Sequence, residues 1–168
     1  TPDHLDRHRT FKAYADAKAR IFENQSKDDF TVLNADDPTC VELAARSAAK
    51  VIWFSRKKAV QPGGYVDDPD ILFQYGGAPS PIMRVSDIPL KGLHNVENVL
   101  AAVCVGKLMG CTTEDLANTV RNFKAVEHRL EYVATIKGVE YYNDSKATNV
   151  DATIKAIESF PSNIHLIL

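Results

Sequence analysis

The spacing of hydrophobic positions predicts an α/β protein in which short strands alternate with helices. Apolar residues recur at helical spacing in three long segments, residues 10–25, 95–109 and 150–160. Compact apolar runs predict strands at residues 30–34 and 50–55, and between them Asp37-Pro38 has the N-cap Asp and first-turn Pro that favour a helix start. Because a strand–helix–strand unit usually places its strands side by side in one direction, we expect these two strands to pair in parallel.

The middle of the chain predicts a loop and a hairpin. Residues 56–70 are rich in Pro, Gly and Asp, and we expect them to form a loop. Short strands at residues 71–74 and 82–85 predict a hairpin around Gly76-Gly77, which would be a small lid or an edge of the sheet.

Beyond the second of these helical segments, residues 95–109, one more helix is predicted before strands return. Thr112 and Asp115 have the spacing of a capping pair and predict a helix that continues through Asn122. Two further strands, at residues 131–136 and 139–142, predict a hairpin turning at Lys137-Gly138, and residues 164–168 form a last strand-like run. We place a domain boundary near Val126-Glu127, which divides the chain into residues 1–126 and 127–168.

Composition narrows the classes of function. The 168 residues are 45% hydrophobic, which is enough for a core, and a formal charge of −2 argues against general nucleic-acid binding. No apolar stretch approaches the roughly 20 residues of a membrane-spanning helix. Cys40, Cys104 and Cys111 are odd in number and lack metal-type spacing, so we expect reduced, buried thiols in a cytoplasmic protein. The expected ligands are therefore small molecules.

The segment from Asn143 to Asn149, Asn-Asp-Ser-Lys-Ala-Thr-Asn, lies between a predicted strand and a predicted helix. It combines a carboxylate, an ammonium, two hydroxyls and two amides, nearly all of which can hold a phosphate or a carboxylate. Ligands of open α/β sheets settle at the carboxyl ends of strands, where helix N-termini favour anions. We therefore expect this loop to bind an anionic ligand.

Lys18 stands on an apolar helix face, together with Phe11, Tyr14, Ile21 and Phe22. Its stem could follow the core to the surface. Alternatively, a desolvated Lys18 could lose its proton and add carbon dioxide, giving a carbamate able to bind a hard cation. The preceding residues 3–8 contain two Asp and two His, which form either a solvated polar loop or a metal site, and their spacing matches no zinc motif.

Two other groups of polar residues are candidates for nucleotide recognition. Asn95 and Asn98 share a helix face, and their carboxamides offer the donors and acceptors that a purine edge needs, although ordinary N-capping by Asn95 is the alternative. Arg129, at the expected boundary, could reach a phosphate or pair with a neighbouring carboxylate. No Gly-x-x-x-x-Gly-Lys-[Ser/Thr] phosphate loop occurs in the sequence, so an ATP-using parent protein would carry that loop elsewhere.

Six motifs occur in a fixed order along the chain: Pro-Asp-His-Leu-Asp-Arg, Ala-Lys-Ala-Arg-Ile-Phe, Asn-Ala-Asp-Asp-Pro, Gly-Leu-His-Asn-Val-Glu-Asn, His-Arg-Leu-Glu and Asn-Asp-Ser-Lys-Ala-Thr-Asn. In this order they resemble the Mur ligases of peptidoglycan synthesis, and the likeness runs from Pro2 to Leu168. The form of the last motif is similar to that of the members that add D-glutamate, since other Mur ligases usually carry a His-containing segment there.

The resemblance implies a three-domain enzyme. Residues 1–126 would be the second half of a central P-loop-type ATPase domain, and residues 127–168 would begin a Rossmann-like C-terminal domain. The implied reaction transfers the γ-phosphoryl group of ATP to the carboxylate of UDP-N-acetylmuramoyl-L-alanine, after which the amine of D-glutamate attacks the acyl phosphate. ATP and Mg²⁺ are the implied cofactors, and we expect a cytoplasmic monomer without nucleic-acid or membrane partners.

The resemblance also implies roles for residues in the first part of the chain. His4 would bind the second magnesium ion, and Lys18 would be the carbamylated lysine that serves the same ion. Asn95 and Asn98 would contact adenine or its surroundings. Asp36-Asp37 matches a family motif, but no role is assigned to it.

The resemblance implies further roles for residues in the second part of the chain, residues 127–168. Arg129 and Asp144 would contact the phosphate and ribose of the nucleotide. Lys146 and Thr148 would hold the D-glutamate carboxylate or the acyl phosphate, and Ser145 is a further candidate for that task.

Both ends of the chain look cut, and the phosphate loop and uridine pocket implied by the resemblance are missing from it. We therefore expect the 168-residue chain alone to lack ligase activity. Two alternatives stay open. One is another amide ligase, such as a different Mur ligase or a folylpolyglutamate synthase, and the loop at residues 143–149 discriminates against it. The other is a non-catalytic α/β nucleotide-binding or interaction module, which a phosphate loop upstream in the parent gene would dispose of.

Overall fold

The computed structural model describes residues 5–167 as a mixed α/β fold. The helices in this part of the chain are α1 Leu5–His8, α2 Phe11–Ala19, α3 Pro38–Ala44, α4 Leu93–Leu108, α5 Thr113–Arg121 and α6 Val150–Ile157. The strands are β1 Phe30–Asn34, β2 Lys50–Ser55, β3 Gly63–Asp67, β4 Asp70–Gln74, β5 Ser80–Arg84, β6 Glu131–Ile136 and β7 Val139–Asn143. Among these helices, none is long and apolar enough to cross a membrane.

Strands β1 to β5 form one sheet in chain order. The β1–β2 and β2–β3 pairs are parallel, whereas β3–β4 and β4–β5 are antiparallel. The predicted parallel pairing of β1 with β2 is confirmed, and the predicted hairpin at β4 and β5 continues the sheet as its edge rather than forming a lid. Strands β6 and β7 form a separate antiparallel hairpin, turning at Lys137 and Gly138 with φ of 52° and 81°. Two successive positive φ values are typical of a tight hairpin turn that matches strand twist.

Helix α4 supplies much of the core by packing across β1, β2 and β3. Leu100, Val103 and Cys104 on its inner face are almost fully buried, as are Ile52 of β2 and Ile71 of β4. Removing each large apolar side chain from water contributes about 1.5–3 kcal/mol. The site residues near the start of α4 are thus carried by a helix that is anchored along its length.

The predicted loop at residues 56–70 is wrong in its second half, because Gly63–Asp67 forms strand β3. A Cβ atom on Gly63 would lie 1.8 Å from the carbonyl oxygen of Trp53, and one on Gly64 would lie 2.9 Å from Cys104 Sγ. These glycines therefore let β3 approach β2 and α4 closely. In sequence the same glycines are typical of turns, and the close approach that requires them is a tertiary contact.

The ends of several helices also differ from the predictions. The helix predicted at residues 10–25 ends at Ala19 and continues only as a short 3₁₀ turn, Arg20–Phe22. The helix predicted at residues 150–160 ends at Ile157. Residues 164–167 pair with no strand within the described part of the chain, so the predicted last strand is not formed there. A strand needs a neighbouring strand for its backbone hydrogen bonds. The apolar pattern of a segment does not show whether such a neighbour is present.

Several local signals are confirmed by their hydrogen bonds. The Asp37 carboxylate caps α3 by accepting from the N–H groups of Thr39 and Cys40 at 2.7 and 3.0 Å. The Thr112 hydroxyl oxygen accepts from the Asp115 N–H at 3.1 Å and caps α5. All three cysteines are free. Only Cys104 is fully buried, since Cys40 is half-buried and Cys111 is exposed, which corrects the expectation of three buried thiols.

Candidate functional site

Asp36 joins the carboxyl ends of the two parallel strands β1 and β2. One oxygen of its carboxylate accepts a hydrogen bond from the Ser55 hydroxyl at 2.7 Å, and the other accepts from the Arg56 N–H at 2.8 Å. Ser55 is fully buried, so this link is protected from water. No role was predicted for Asp36, and these contacts make it a brace for the end of the sheet where ligands of such folds bind.

The start of α4 lies at this same end of the sheet. Arg56 Nε is 3.3 Å from Glu97 Oε1, and both side chains are largely shielded from solvent. The N-cap of α4 is Gly92, with φ of 94°, so the alternative that Asn95 caps the helix is wrong. A positive φ at this position favours glycine.

Asn95 is half-buried in the first turn of α4, and its side chain is already oriented. Its Nδ2 donates to the Lys91 carbonyl at 2.6 Å, and its Oδ1 accepts from Asn98 Nδ2 at 3.2 Å. Asn98 is exposed. The two carboxamides therefore lie on one helix face, as their spacing predicts, and in addition are hydrogen-bonded to each other.

The loop at residues 143–149 is fixed to the segment just before β6. Asp144 Oδ1 accepts from the Leu130 N–H at 3.0 Å, and the Lys146 N–H donates to the His128 carbonyl at 3.0 Å. The side chains of Asn143 and His128 are also hydrogen-bonded, with Nδ2 and Nδ1 2.9 Å apart. His128 and Leu130 have φ of 66° and 44°. Left-handed non-glycine residues are uncommon and are held by their surroundings, often at functional sites.

The polar tips of this loop point to solvent without partners in the described structure. Ser145, Lys146 and Thr148 are exposed, and their side chains make no hydrogen bond or ion pair within residues 5–167. The exposed Arg129 side chain likewise has no ion pair with a described residue. A backbone held by hydrogen bonds that carries two cations and two hydroxyls is suited to an anionic ligand.

A cleft of about 120 Å³ separates the start of α4 from the end of α6. It is lined by Arg56, Leu93, His94, Glu97, Lys155, Glu158 and Ser159. The pKa of His94 is lowered chiefly by burial, and the charges of Arg129 and Asp144 act on the same imidazole. The structure thus brings the start of α4 and the loop at residues 143–149 to one place.

A second, more open cavity of about 360 Å³ lies elsewhere, beside the ends of β1 and α3. It is lined by Ala35, Val41, Trp53, Lys58, Ala59, Val60 and Gln61. None of the predicted site residues that the structure describes lines it.

Of the two predicted metal ligands, the structure describes Lys18, and Lys18 does not line the cleft. Lys18 is exposed, with its Nζ 5.5 Å from the centre of the Tyr14 ring, so the expected desolvation of this lysine is not found. The apolar stripe fails as a core face because Phe11 and Ile21 are 38% and 73% exposed. His4 lies outside the described residues, and the described part of the chain contains no group of three or more His, Cys, Asp or Glu that could hold a metal ion.

Sequence reasoning missed several residues that shape the site, namely Arg56, Lys91, His94, Glu97 and Lys155. Two of them carried a usable signal. Arg56 follows a buried strand directly, and His94 precedes the candidate Asn95. The others are recognised only by contacts between distant segments.

Three comparisons place the chain among known proteins. Residues 1–106 match the profile of the Mur ligase middle domain. The chain is 60% identical over all its 168 residues to the UDP-N-acetylmuramoylalanine–D-glutamate ligase of Koribacter versatilis, and 56% identical to the enzyme of that name from Acidobacterium capsulatum. It spans 37% of the length of each of these relatives.

Solved structures agree on the fold. A MurF from Acinetobacter baumannii superposes with a TM-score of 0.74 at 16% identity, and this covers 92% of the present chain and 34% of that one. A pseudomurein peptide ligase type C from Methanothermus fervidus superposes with a TM-score of 0.72 at 16% identity, covering 96% of the present chain and 39% of the other. At such identities the likeness extends to the fold alone.

Proposed function

This chain belongs to the Mur ligase family, and on that premise we propose that its parent protein joins D-glutamate to UDP-N-acetylmuramoyl-L-alanine at the expense of ATP, in peptidoglycan precursor synthesis. The observation that carries the proposal is the loop at residues 143–149. It has the form associated with D-glutamate addition and is hydrogen-bonded to residues 128–130. The side chains of Ser145, Lys146 and Thr148 have no hydrogen-bond or ion-pair partner among the described residues. Similarity along the whole chain to two enzymes named for this reaction supports the same assignment.

We assign residues 1–126 to the central ATPase domain and residues 127–168 to the start of the C-terminal domain. The change of architecture supports this division, because the five-stranded sheet and its helices end at α5 and a separate hairpin begins at Glu131. The P-loop-type and Rossmann-like characters of the two domains belong to the same proposal.

The proposed reaction has two steps. A carboxylate oxygen of UDP-N-acetylmuramoyl-L-alanine attacks the γ-phosphorus of ATP, and ADP leaves. The amine of D-glutamate then attacks the acyl carbon and loses a proton, and inorganic phosphate leaves with the former carboxylate oxygen. The first step brings a carboxylate against a triphosphate, so most of the catalysis must come from positioning and from offsetting negative charge.

Within this chain, Arg129 and Lys146 are the cations we propose for that task. Asp144 would accept from the ribose hydroxyls, because one of its oxygens is fixed by the Leu130 N–H and the carboxylate is thereby oriented. Lys146 and Thr148 would hold the D-glutamate carboxylate or the acyl phosphate, with Ser145 beside them. All three side chains are exposed.

Asn95 and Asn98 are the residues we propose for the adenine. Their side chains are linked to each other, and Asn95 is anchored through Nδ2 on the Lys91 carbonyl. The second Nδ2 proton of Asn95 and the amide of Asn98 would remain for the purine edge.

Magnesium enters the proposal through the family resemblance. The proposed ligands are His4 and Lys18 as a carbamate, of which His4 lies outside the described residues. Bound Mg²⁺ would offset charge on the phosphates of ATP. Within residues 5–167 no group of three or more His, Cys, Asp or Glu could hold a metal ion, so these proposed ligands rest on the sequence resemblance alone.

The test is phosphate release by the full-length parent protein with ATP, Mg²⁺ and UDP-N-acetylmuramoyl-L-alanine. D-glutamate is compared with L-glutamate, L-lysine and no amino acid. Release that depends on D-glutamate supports the proposal. Release that depends on another amino acid would indicate a different amide ligase of the same superfamily. No release with any acceptor would favour a non-catalytic module. The 168-residue chain alone, expected to be inactive, is the control for contaminating activity.

A further inference from the structure

Lys91 lies just before α4 and contacts the C-terminal part of the chain. Its Nζ donates to the Tyr142 hydroxyl at 2.5 Å, and the same hydroxyl donates to Glu140 Oε2 at 2.9 Å. The ammonium also lies 4.5 Å from the centre of the Tyr142 ring and 4.9 Å from that of Phe160. The two rings meet edge to face with their centres 4.9 Å apart, so Lys91 sits against a preformed aromatic pair.

The other end of Lys91 holds a proposed ligand-binding residue. Its carbonyl oxygen accepts the 2.6 Å hydrogen bond from Asn95 Nδ2. On the far side, Tyr142 precedes Asp144 by two residues at the end of β7. Lys91 therefore contacts both Asn95, the residue proposed for the adenine, and the strand that leads to Asp144, the residue proposed for the ribose.

The backbone next to Lys91 is fitted closely to the same part of the chain. A Cβ atom on Gly92 would lie 2.4 Å from Ser159 Oγ, just beyond α6, and the φ of 94° independently favours glycine here. The contact between the two parts is thus close in the backbone as well as in the side chains.

From these contacts we propose that Lys91 is a positioning residue for the nucleotide, which ties Asn95 to the Tyr142 strand so that Asn95 and Asp144 face the same ATP molecule. The proposal deepens the proposed function and rests on it. Lys91 itself touches no reacting atom. Its pKa is raised mainly by the hydrogen bond to Tyr142, so the ammonium stays charged at neutral pH.

The experiment measures kcat and the KM values for ATP and for UDP-N-acetylmuramoyl-L-alanine in three variants of the full-length protein, Lys91→Ala, Lys91→Arg and Tyr142→Ala. We expect Lys91→Ala to raise the KM for ATP about tenfold, because a cation–π contact and a charged hydrogen bond are lost. The KM for UDP-N-acetylmuramoyl-L-alanine should stay unchanged. Lys91→Arg keeps both kinds of contact and should restore most of the affinity for ATP.

The double variant Lys91→Ala/Tyr142→Ala tests the tie itself. If the two side chains act through one contact, the KM for ATP of the double variant should be no higher than that of the more impaired single variant. The proposal would be overturned if the effects of the two substitutions on the KM for ATP multiplied in the double variant. It would also be overturned by a fall in kcat with no change in the KM for ATP. Arg121→Ala is the matched control, since it removes an ion pair with Asp87 of similar exposure that lies wholly within the first part of the chain.

Hydrogen exchange separates this inference from the function on which it rests. In Tyr142→Ala, the amides of residues 91–98 should exchange faster than in the unaltered protein, whatever reaction the protein catalyses. Unchanged exchange there would reject the tie, even in an active ligase. Absent ligase activity with the expected change in exchange would reject the proposed function and keep the tie.

Discussion

The carboxylate of Asp144 accepts a hydrogen bond from the backbone N–H of Leu130 at 3.0 Å, across a gap of 14 positions in the chain. Leu130 holds a left-handed conformation with φ of 44° to make this contact. The bond joins the start of β6 to the loop after β7, so the proposed nucleotide and substrate residues share one frame. A movement of either segment would displace Arg129 and Lys146 together.

Asp36 is expected to stabilise the protein through its two hydrogen bonds to Ser55 and Arg56. Asp36→Ala should lower the free energy of unfolding by about 2–3 kcal/mol, since it leaves a buried hydroxyl and a backbone N–H without their acceptor. Asp36→Asn keeps one acceptor oxygen and should cost less. Thermal unfolding of the parent protein measures both. Asp28→Ala is the control, because the Asp28 side chain is exposed and accepts no hydrogen bond within the described residues. An equal loss of unfolding free energy in Asp28→Ala would contradict the stabilising role of the Asp36 hydrogen bonds.

Lys18 is expected to be essential for turnover if its carbamate serves the metal. In the full-length protein, Lys18→Ala should lower kcat by about a hundredfold or more, because a ligand of the ion that offsets phosphate charge is lost. Added acetate or another short carboxylate should recover part of the rate. The control is Lys12→Ala on the same helix, where the side chain is 85% exposed and paired with Asp16. Unimpaired turnover of Lys18→Ala would refute the carbamate role.

The three cysteines should react with a thiol reagent in the order of their exposure. Burial raises the pKa of Cys104 to about 12 and also raises that of the half-buried Cys40, so their reactive thiolates are scarce at neutral pH. Cys111 is exposed and should be labelled first. Mass spectrometry of partly labelled native protein measures the order. Labelling of Cys104 at the rate of Cys111 would contradict the described core, and unfolded protein, in which all three react, is the control.

His94 should make stability depend on pH. Its folded pKa is lowered chiefly by burial, against the opposing effect of Glu97, so the unfolded chain takes up a proton at a higher pH than the folded one. This contribution is complete above the unfolded value of about 6.5 and is lost as the pH falls through the lowered folded value. The Tm should therefore fall less between about pH 7.5 and about pH 5 in His94→Gln than in the unaltered protein. Equal falls would show that His94 is not desolvated in solution.

Local signals predicted most of the fold. Strands Phe30–Asn34 and Lys50–Ser55 were predicted to the residue, because apolar runs and the Asp37 cap determine where each element starts and stops. Strand Gly63–Asp67 was missed because its glycines serve close packing rather than a turn. Of the two errors of helix length, one falls at Ala19, where no Gly or Pro follows closely. The other falls at Ile157, where the predicted end was placed directly before Pro161 and the helix stops three residues earlier.

The residues of the candidate site likewise fall into those that could be predicted from the sequence and those that could not. Residues that carry a motif, such as Asn95 and Asp144, could be named from the sequence and the family resemblance. Lys91 could not, because its partner Tyr142 is 51 positions away in the chain, and the pairing of Arg56 with Glu97, 41 positions away, could not be foreseen either. Contacts of that range depend on how the two parts meet, and no local pattern encodes them.

The central claim is that the parent protein activates a carboxylate as an acyl phosphate for attack by D-glutamate. The most direct test supplies UDP-N-acetylmuramoyl-L-alanine labelled with oxygen-18 in its carboxylate, together with ATP and D-glutamate, and analyses the released phosphate by mass spectrometry. One labelled oxygen in each phosphate, formed only when D-glutamate is present in the complete reaction, is the predicted result. Unlabelled phosphate would mean that water, not the carboxylate, attacks ATP, and it would contradict the proposed ligase reaction.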